Sequence, residues 1–315
     1  MIRIGIAYHP DYTKHETGGH PENKQRVART IEYLKQSRIN KDLLYITPNL
    51  ASIEEIMLVH PKSYIESIEK ACKTDRRYLD ADTLISPDSF DVALLAVGGV
   101  ISCVNSVMEG KVKTGFALVR PPGHHACKEK AMGFCIFNNI SIGVRYAKKL
   151  YDLHRILIID FDVHHGNGTQ EIFYDDPEVL YFSLHQYPFY PGTGDKGQVG
   201  TGNGKGYTVN VPLLAGGGDL EYKEGFEQYL IPRAIKFNPE LIFVSAGFDA
   251  YKGDPLGGMN LSIDGYRMIG RLICELASQT CEGKVISSLE GGYNLETLPI
   301  LIEAYLDNFT SQNYG

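Results

Sequence analysis

Four clusters of polar and titratable residues each follow directly after a short apolar segment of the chain. They lie at residues 120–125, 160–168, 247–255 and 290–294. Together they contain carboxylates, imidazoles and two tyrosines. Such side chains can bind a divalent metal, transfer protons and stabilise negative charge on an oxygen atom.

The second and third clusters contain a candidate metal site. Asp162 and His164 are two residues apart on a segment that is predicted to be extended, so their side chains point to the same side. Asp249 is the best candidate for a third ligand, and three protein ligands would leave the open position typical of catalytic zinc. Because two carboxylates and one imidazole form a harder set than three imidazoles, iron(II) competes with zinc.

The first and fourth clusters could supply the remaining catalytic groups. Adjacent His124 and His125 follow a Pro-Pro-Gly turn, and two imidazoles near a metal can act as general base and general acid. Tyr293 follows two glycines, which allow a close backbone approach, and its hydroxyl could donate to an oxyanion. The alternative is that the histidines only fill polar space and the tyrosine only packs.

The apolar segments before the clusters predict the elements that position them. Predicted strands lie at 1–8, 114–119, 155–161, 179–184, 207–211, 241–246 and 284–289. Predicted helices lie at 22–38, 88–109, 138–150, 262–278 and 295–306. Alternation of apolar strands with helices is typical of a mostly parallel sheet covered by helices. In such sheets the functional site lies beyond the carboxyl ends of the strands.

Composition narrows the class of protein. The 315 residues are 43% hydrophobic and 22% charged, without internal repeats or long linkers, which predicts one α/β domain over 1–315. A net charge of −7 argues against nucleic-acid binding through a basic face. No apolar run approaches the roughly 20 residues of a membrane span, and no signal peptide is evident. Six cysteines without a C-x-x-C pair favour free thiols and a cytoplasmic location.

The motifs Pro-Pro-Gly-His-His, Asp-x-Asp-x-His-His-Gly-x-Gly, Ala-Gly-Phe-Asp and Glu-Gly-Gly-Tyr occur in this order. With His20-Pro21-Glu22 before them, they resemble the motifs of the histone deacetylase family, including its bacterial deacetylase and acetylpolyamine amidohydrolase relatives. The resemblance implies the single-domain arginase/deacetylase fold, a mostly parallel sheet flanked by helices. It also implies hydrolytic removal of acetyl groups from amines with zinc as cofactor.

The resemblance also implies individual roles. Zinc would be bound by Asp162, His164 and Asp249. His125 would take a proton from the attacking water and later protonate the leaving amine. His124, oriented by Asp160, would assist electrostatically, and Tyr293 would polarise the amide carbonyl and stabilise the oxyanion.

Structural potassium ions are a further implication of the resemblance. One would be held by Asp160, Ser183 and Leu184 together with the backbone carbonyls of Asp162 and His164. A second would involve Phe173, Asp176, Val179 and Tyr207.

The family's narrow substrate tunnel has two aromatic walls, which Phe134 and Tyr190 match, with Phe189 as the alternative to Tyr190. Such walls suit a four-carbon chain that ends in an acetamide. Asp82 matches a rim residue that binds the substrate backbone.

Two departures from the family's patterns affect the interpretation. Asn167 stands where class I enzymes have Asp and class II enzymes have Asn, which makes the chain class II-like and His125 less basic. Leu256 stands where the polyamine-selective vertebrate relative has a glutamate, which favours acyl-lysine over acetylpolyamine substrates.

Several functions stay open at this point. The leading hypothesis is an acetyl-lysine deacetylase, and the second is a deacylase of acetylpolyamines or other small N-acyl amines. A manganese ureohydrolase would share the fold but needs a richer set of Asp and His ligands for two metals. This chain lacks the Asp-x-His-x-Asp pattern of such a site. A catalytically silent protein that binds acylated tails ranks low, because every catalytic residue is present. The oligomeric state is left undetermined.

Overall fold

A single eight-stranded parallel sheet runs through the computed structural model, which describes residues 4–310. The strands are β1 Ile4–Ala7, β2 Leu43–Ile46, β3 Thr114–Ala117, β4 Ile156–Asp160, β5 Val179–Gln186, β6 Thr208–Leu213, β7 Leu241–Ala246 and β8 Val285–Leu289. Their spatial order is β2-β1-β3-β8-β7-β4-β5-β6, and every neighbouring pair is parallel.

Helices cover the sheet. They are α1 Gln25–Gln36, α2 Ile53–Ile56, α3 Lys62–Cys72, α4 Ser89–Met108, α5 Asn139–Tyr151, α6 Asn167–Phe173, α7 Asp219–Glu224, α8 Ile231–Phe237, α9 Ile263–Thr280 and α10 Leu298–Leu306. A π-helical turn, Gly225–Leu230, joins α7 to α8. The central strands β4, β7 and β8 are buried along their whole length, which explains why β4 and β7 each begin with four successive apolar residues rather than alternate ones.

Helix α4 modifies one expectation from the sequence. Within residues 4–310 it is the one helix that is long and apolar enough, by length and composition alone, to cross a membrane. However, 83% of its apolar window is buried inside the protein, where it contacts β1, β3 and β8. The expectation that no apolar run approaches 20 residues is therefore wrong for this 20-residue helix, whose hydrophobicity is used in the core.

The fold class and the main elements agree with the sequence prediction, with boundaries that shift by a few residues. The predicted helix 295–306 begins later, at Leu298, because Asn294 first forms a turn whose side chain accepts the amides of Glu296 and Thr297. Of the predicted strand 1–8, residues 4–7 form β1 and the first three lie outside the described residues. The sequence prediction missed β2, α2, α3 and α6 to α8, which all have seven residues or fewer except α3. All six cysteines are buried free thiols.

The strand order explains how distant clusters become neighbours. The strands β3, β8, β7 and β4 are adjacent in the sheet, and each is followed by one of the four polar clusters. Since all four are parallel, their carboxyl ends lie at the same edge. The clusters at 120–125, 290–294, 247–255 and 160–168 therefore converge there.

Candidate active site

Three side chains at this edge form a compact group of metal-ligating atoms. The ligand atoms of Asp162, His164 and Asp249 all lie within 4.8 Å of one another. His164 Nδ1 is 3.1 Å from Asp162 Oδ1 and 3.2 Å from Asp249 Oδ2. Both carboxylates are fully buried, so the three atoms face a shared, water-poor point.

The chemistry of this group fits a divalent cation. Asp249 Oδ2 is buried and accepts no well-aligned hydrogen bond within residues 4–310. Burial and then the neighbouring Asp162 raise the pKa of Asp249. Burial alone would lower the pKa of His164, but the two carboxylates raise it to about 10. A cation at the shared point would take the place of that proton and compensate both carboxylates.

The backbone holds the ligands at this point and leaves space beside them. Val163 N–H donates to Asp249 Oδ1 over 3.0 Å, and Gly291 N–H donates to Asp162 Oδ2 over 2.8 Å. A Cβ atom at Gly291 would lie 2.0 Å from Asp249 Oδ2 and 2.6 Å from Asp162 Oδ2. Only glycine therefore permits this close approach of β8's loop to the metal group.

His124 lies beside the metal group and is paired with a carboxylate. Its Nδ1 is 3.1 Å from Asp160 Oδ2, and its Nε2 is 3.9 Å from Asp162 Oδ1. Burial by itself would lower the pKa of His124, but Asp160 and Asp162 outweigh this effect and raise it to about 10. The geometry therefore favours a cationic imidazole at this position.

His125 has the opposite electrostatic environment. Its Nδ1 is 2.8 Å from Asn167 Oδ1, so this nitrogen carries the proton and Nε2 is left to exchange one. Burial, followed by the nearby His124 and His164, holds the pKa of His125 well below its usual range. The His124 and His125 ring centroids are 4.1 Å apart. Two adjacent imidazoles with pKa values shifted in opposite directions are suited to acid and base roles.

Glu290 orients the histidine loop, a role that the sequence alone did not reveal. Its buried carboxylate accepts the amides of Gly123 and His124 over 2.7 and 3.1 Å through Oε2. Oε1 accepts from the Ser245 hydroxyl over 3.2 Å. The signal was present in the Glu-Gly-Gly-Tyr motif, but only the fold shows that this carboxylate contacts the loop after β3.

Arg26 is a second residue that sequence reasoning missed. Its guanidinium carbon lies 4.9 Å from the Tyr293 ring centroid, and it donates to the carbonyls of Gly292 (2.7 Å) and Glu290. It is only 1% exposed. An arginine on the buried face of α1, where apolar residues were expected, was the available signal. Arg26 thus holds the backbone on either side of the site glycines.

Arg26 is part of a buried ion-pair group with Glu22 and Arg120. Glu22 accepts from Arg26 Nη1 over 3.4 Å and from Arg120 Nε and Nη2 over 2.8 Å each. Burial alone would raise the pKa of Glu22, but Arg120 and Arg26 hold it well below its usual range. Arg120 immediately precedes the Pro-Pro-Gly-His-His segment, so this group links α1 to the histidine loop.

We expect Glu22→Gln to lower the free energy of unfolding by about 3–5 kcal/mol, because the substitution leaves two buried guanidinium groups without their counter-ion. Denaturant unfolding of both proteins measures the difference. Glu16→Gln is the matched control: Glu16 pairs with Lys24 over 2.7 Å, but both side chains are exposed. That control should change stability by less than about 1 kcal/mol. Equal, small losses for both variants would show that the buried group contributes no more than a surface pair.

A narrow cavity of about 160 Å³ leads from the surface to the metal group. It is lined by Asp82, His125, Gly133, Phe134, His164, Tyr190, Leu256 and Tyr293. The Phe134 and Tyr293 ring centroids are 5.9 Å apart, and Tyr190 lies 5.2 Å from the His125 ring. Phe134 has a φ of 69°, an uncommon value for a residue with a side chain. Every predicted tunnel residue therefore lies at this cavity.

The structure distinguishes Tyr190 from Phe189. Tyr190 lines the tunnel and is 37% exposed, whereas Phe189 stacks on the His164 ring at 5.2 Å with an interplanar angle of 15°. Asp82 is at the tunnel mouth, where burial and then Asp80 raise its pKa. Leu256 is part of the same lining, at the end of the loop that follows Asp249.

The residues implied for potassium fall into two places. The β4–β5 register puts Asp160 beside Ser183, and the Tyr181 hydroxyl donates to Asp160 Oδ2 over 3.2 Å. Around the start of β5, the Asp176 amide donates to the Phe173 carbonyl, and the Tyr181 amide donates to that of Tyr207. The Asp176 carboxylate already pairs with Arg145 and Lys148 at 2.7 and 3.3 Å. Potassium binding at either place stays a prediction.

Comparison with known proteins gives consistent relatives. A "Probable deacetylase" of Archaeoglobus fulgidus is 41% identical over 93% of this chain and 82% of its own length. The mouse "Polyamine deacetylase HDAC10" is 41% identical over 88% of this chain but only 43% of its own length. The crystal structure of the HDA15 HD domain superposes with a TM-score of 0.92 at 36% identity, covering 98% of this chain and 88% of that one. The histone deacetylase domain model matches residues 20–309. Sequence, fold and the converging polar clusters agree, and the chain belongs to the histone deacetylase family.

Proposed function

We propose that this deacetylase is zinc-dependent and removes acetyl groups from the ε-amine of lysine side chains in proteins or peptides. The observation that supports this most directly is the position of Asp162, His164 and Asp249 at the base of a tunnel, beside two histidines with opposite pKa shifts. When bound there, zinc would polarise the amide carbonyl and increase the acidity of water. The same ligand set could accept iron(II).

In the proposed mechanism, the residues of this chain move the protons. The neutral His125 accepts a proton from water as the water attacks the amide carbon. The cationic His124, held by Asp160, stabilises the negative charge that develops nearby. Tyr293 donates a hydrogen bond to the carbonyl oxygen as it becomes an oxyanion. The carbon–nitrogen bond then breaks, the amine leaves with the proton returned by His125, and acetate is the second product.

The substrate assignment depends on the tunnel mouth. Phe134 and Tyr190 form aromatic walls that fit a linear alkyl chain, and Leu256 adds an apolar contact at the same lining. A neutral peptide backbone can lie against Leu256 without placing a charge beside an apolar side chain. A polyamine would place a cationic secondary amine there. Asp82 is the observation that favours the second candidate, an acetylpolyamine deacylase, because a carboxylate at the mouth attracts cations. The similarity to a polyamine deacetylase supports the same candidate.

We expect Leu256→Glu to shift specificity towards acetylated polyamines by about tenfold, measured as the ratio of kcat/KM for acetylspermidine to kcat/KM for an acetyl-lysine peptide. A charge pair at about 4 Å is worth roughly 4 kcal/mol at an effective dielectric near 20, and solvent exposure reduces the net gain to about 1–2 kcal/mol. Leu256→Gln is the matched control, because glutamine is similar in size to glutamate but carries no charge.

The parent protein is expected to prefer the acetyl-lysine peptide. A parent that already favours acetylspermidine would contradict the proposed substrate class and put the polyamine candidate first. An unchanged ratio in both variants would show that residue 256 does not meet the substrate. We also propose that potassium binds at the two places described above. Adding potassium to a potassium-free sample, with the unfolding temperature as the readout, tests this independently of the substrate.

A further inference from the structure

Asp254 joins two loops that carry different parts of the site. Its Oδ2 accepts the Tyr293 amide over 2.6 Å and the Asn294 amide over 3.1 Å. Its Oδ1 accepts the Leu256 amide over 2.9 Å. The residue is only 7% exposed, so water competes little for these three bonds. One carboxylate therefore connects the tunnel-mouth leucine with the backbone of the tyrosine.

The two bonds of Oδ2 join segments that are far apart in the chain. Asp254 is on the loop after β7, and Tyr293 is 39 residues later on the loop after β8. A second contact between the same loops is made by Asn294, whose side-chain amide donates to the Gly253 carbonyl over 2.8 Å. Gly292, directly before Tyr293, has a φ of 118°, which favours glycine. Because glycine has no side chain, the backbone at this point is less restrained than at other residues. The position of Tyr293 therefore depends on its bonded partners.

We propose that Asp254 is a positioning residue that fixes the Tyr293 hydroxyl relative to the metal group. The inference rests on the role proposed above for Tyr293. A donor must be held close to where the oxyanion develops, and a displacement of about 1 Å can reduce turnover by about a hundredfold. Because the carboxylate bonds the tyrosine's own amide, losing it removes a direct restraint on that residue.

We expect Asp254→Ala to lower kcat by about 10- to 100-fold while KM changes by less than about threefold. Asp254→Asn should give an intermediate loss, because its single amide oxygen can serve the Tyr293 side or the Leu256 side but not both. Steady-state kinetics on one acetyl-lysine peptide and metal analysis of each purified protein measure these effects. Asp219→Ala is the matched control, since Asp219 also joins two segments by accepting the Ser262 amide and hydroxyl, over 2.8 and 2.6 Å.

A double-mutant cycle separates positioning from general damage. In a Tyr293→Phe background, Asp254→Ala should cost less than about threefold in kcat, because the hydroxyl that it positions is already gone. Losses that multiply in the double variant would overturn the inference. Loss of bound metal in Asp254→Ala would also overturn it, because the residue would then act through the Asp249 loop.

The outcomes separate this inference from the proposed function. Parent-rate turnover by Tyr293→Phe alone would overturn the role of Tyr293 and this inference together. A slow Tyr293→Phe variant combined with a fully active Asp254→Ala variant would overturn only the positioning role. If the alanine variant does not fold, the same cycle run with Asp254→Asn decides the question, with an expected loss in the parent background and little in the Tyr293→Phe background.

Discussion

Complete removal of bound metal is expected to abolish deacetylation, and addition of zinc is expected to restore it. The reason is the set of Asp162, His164 and Asp249, whose ligand atoms meet within 4.8 Å in a buried place. Without a cation, two buried carboxylates share one imidazole, and nothing else polarises the substrate carbonyl as strongly. Turnover after dialysis against a chelator, with metal content verified by elemental analysis, measures the effect.

Two further measurements make this test specific. Asp249→Asn should reduce both zinc stoichiometry and turnover, whereas Asp195→Asn, a substitution in an exposed loop, should change neither. Restoring activity with zinc, iron(II) or magnesium in parallel ranks the metals, and magnesium should be ineffective because it prefers oxygen ligands. Full turnover by verified metal-free protein would contradict the metal mechanism altogether.

Tyr293→Phe is expected to lower kcat by about a hundredfold or more while the fold and KM are retained. The substitution removes one oxygen and leaves the ring, which packs beside Phe134 and under the Arg26 guanidinium. Loss of a single oxyanion donor typically costs about 100- to 1000-fold in kcat. Steady-state kinetics with an acetyl-lysine peptide, together with thermal unfolding, measures both parts of the expectation.

The control for this variant is a tyrosine that packs without facing the tunnel. Tyr305 is fully buried, and its hydroxyl bonds Ser287 over 2.9 Å within the core. Tyr305→Phe should therefore affect stability rather than kcat. If Tyr293→Phe hydrolyses substrate at the parent rate, Tyr293 is only a packing residue and the oxyanion role must pass to another group.

Much of the fold could be predicted because its signals are local. Residues 156–159 and 241–244 are each apolar at four successive positions, which is the pattern of strands covered on both faces. Asp162 and His164 do face one point, but the predicted extended segment is wrong there: β4 ends at Asp160, and residues 162–164 form a bend in which the His164 amide donates to Asp162 Oδ1 over 2.9 Å. Short elements such as α2 and α6 were missed because four to seven residues carry too little periodicity to identify a helix.

The supporting residues could not be predicted, because their contacts depend on the order of the strands. Glu290 reaches the amides of Gly123 and His124 because β8, the last strand in the chain, pairs with β3. Asp254 reaches Tyr293 because β7 is the other neighbour of β8. No local pattern in the sequence encodes either pairing.

Residue types and their spacing already indicate the chemistry: two aspartates and a histidine that suit a metal, two adjacent histidines, and a tyrosine after flexible glycines. The apolar segments before them also predict that these groups follow buried parallel strands. The packed fold was needed to show that Tyr190 rather than Phe189 lines the tunnel, and that Arg26 and Asp254 hold the tyrosine loop. Residue type sets what a side chain can do, whereas hydrogen bonds and ring contacts form only between groups that packing brings within a few ångströms.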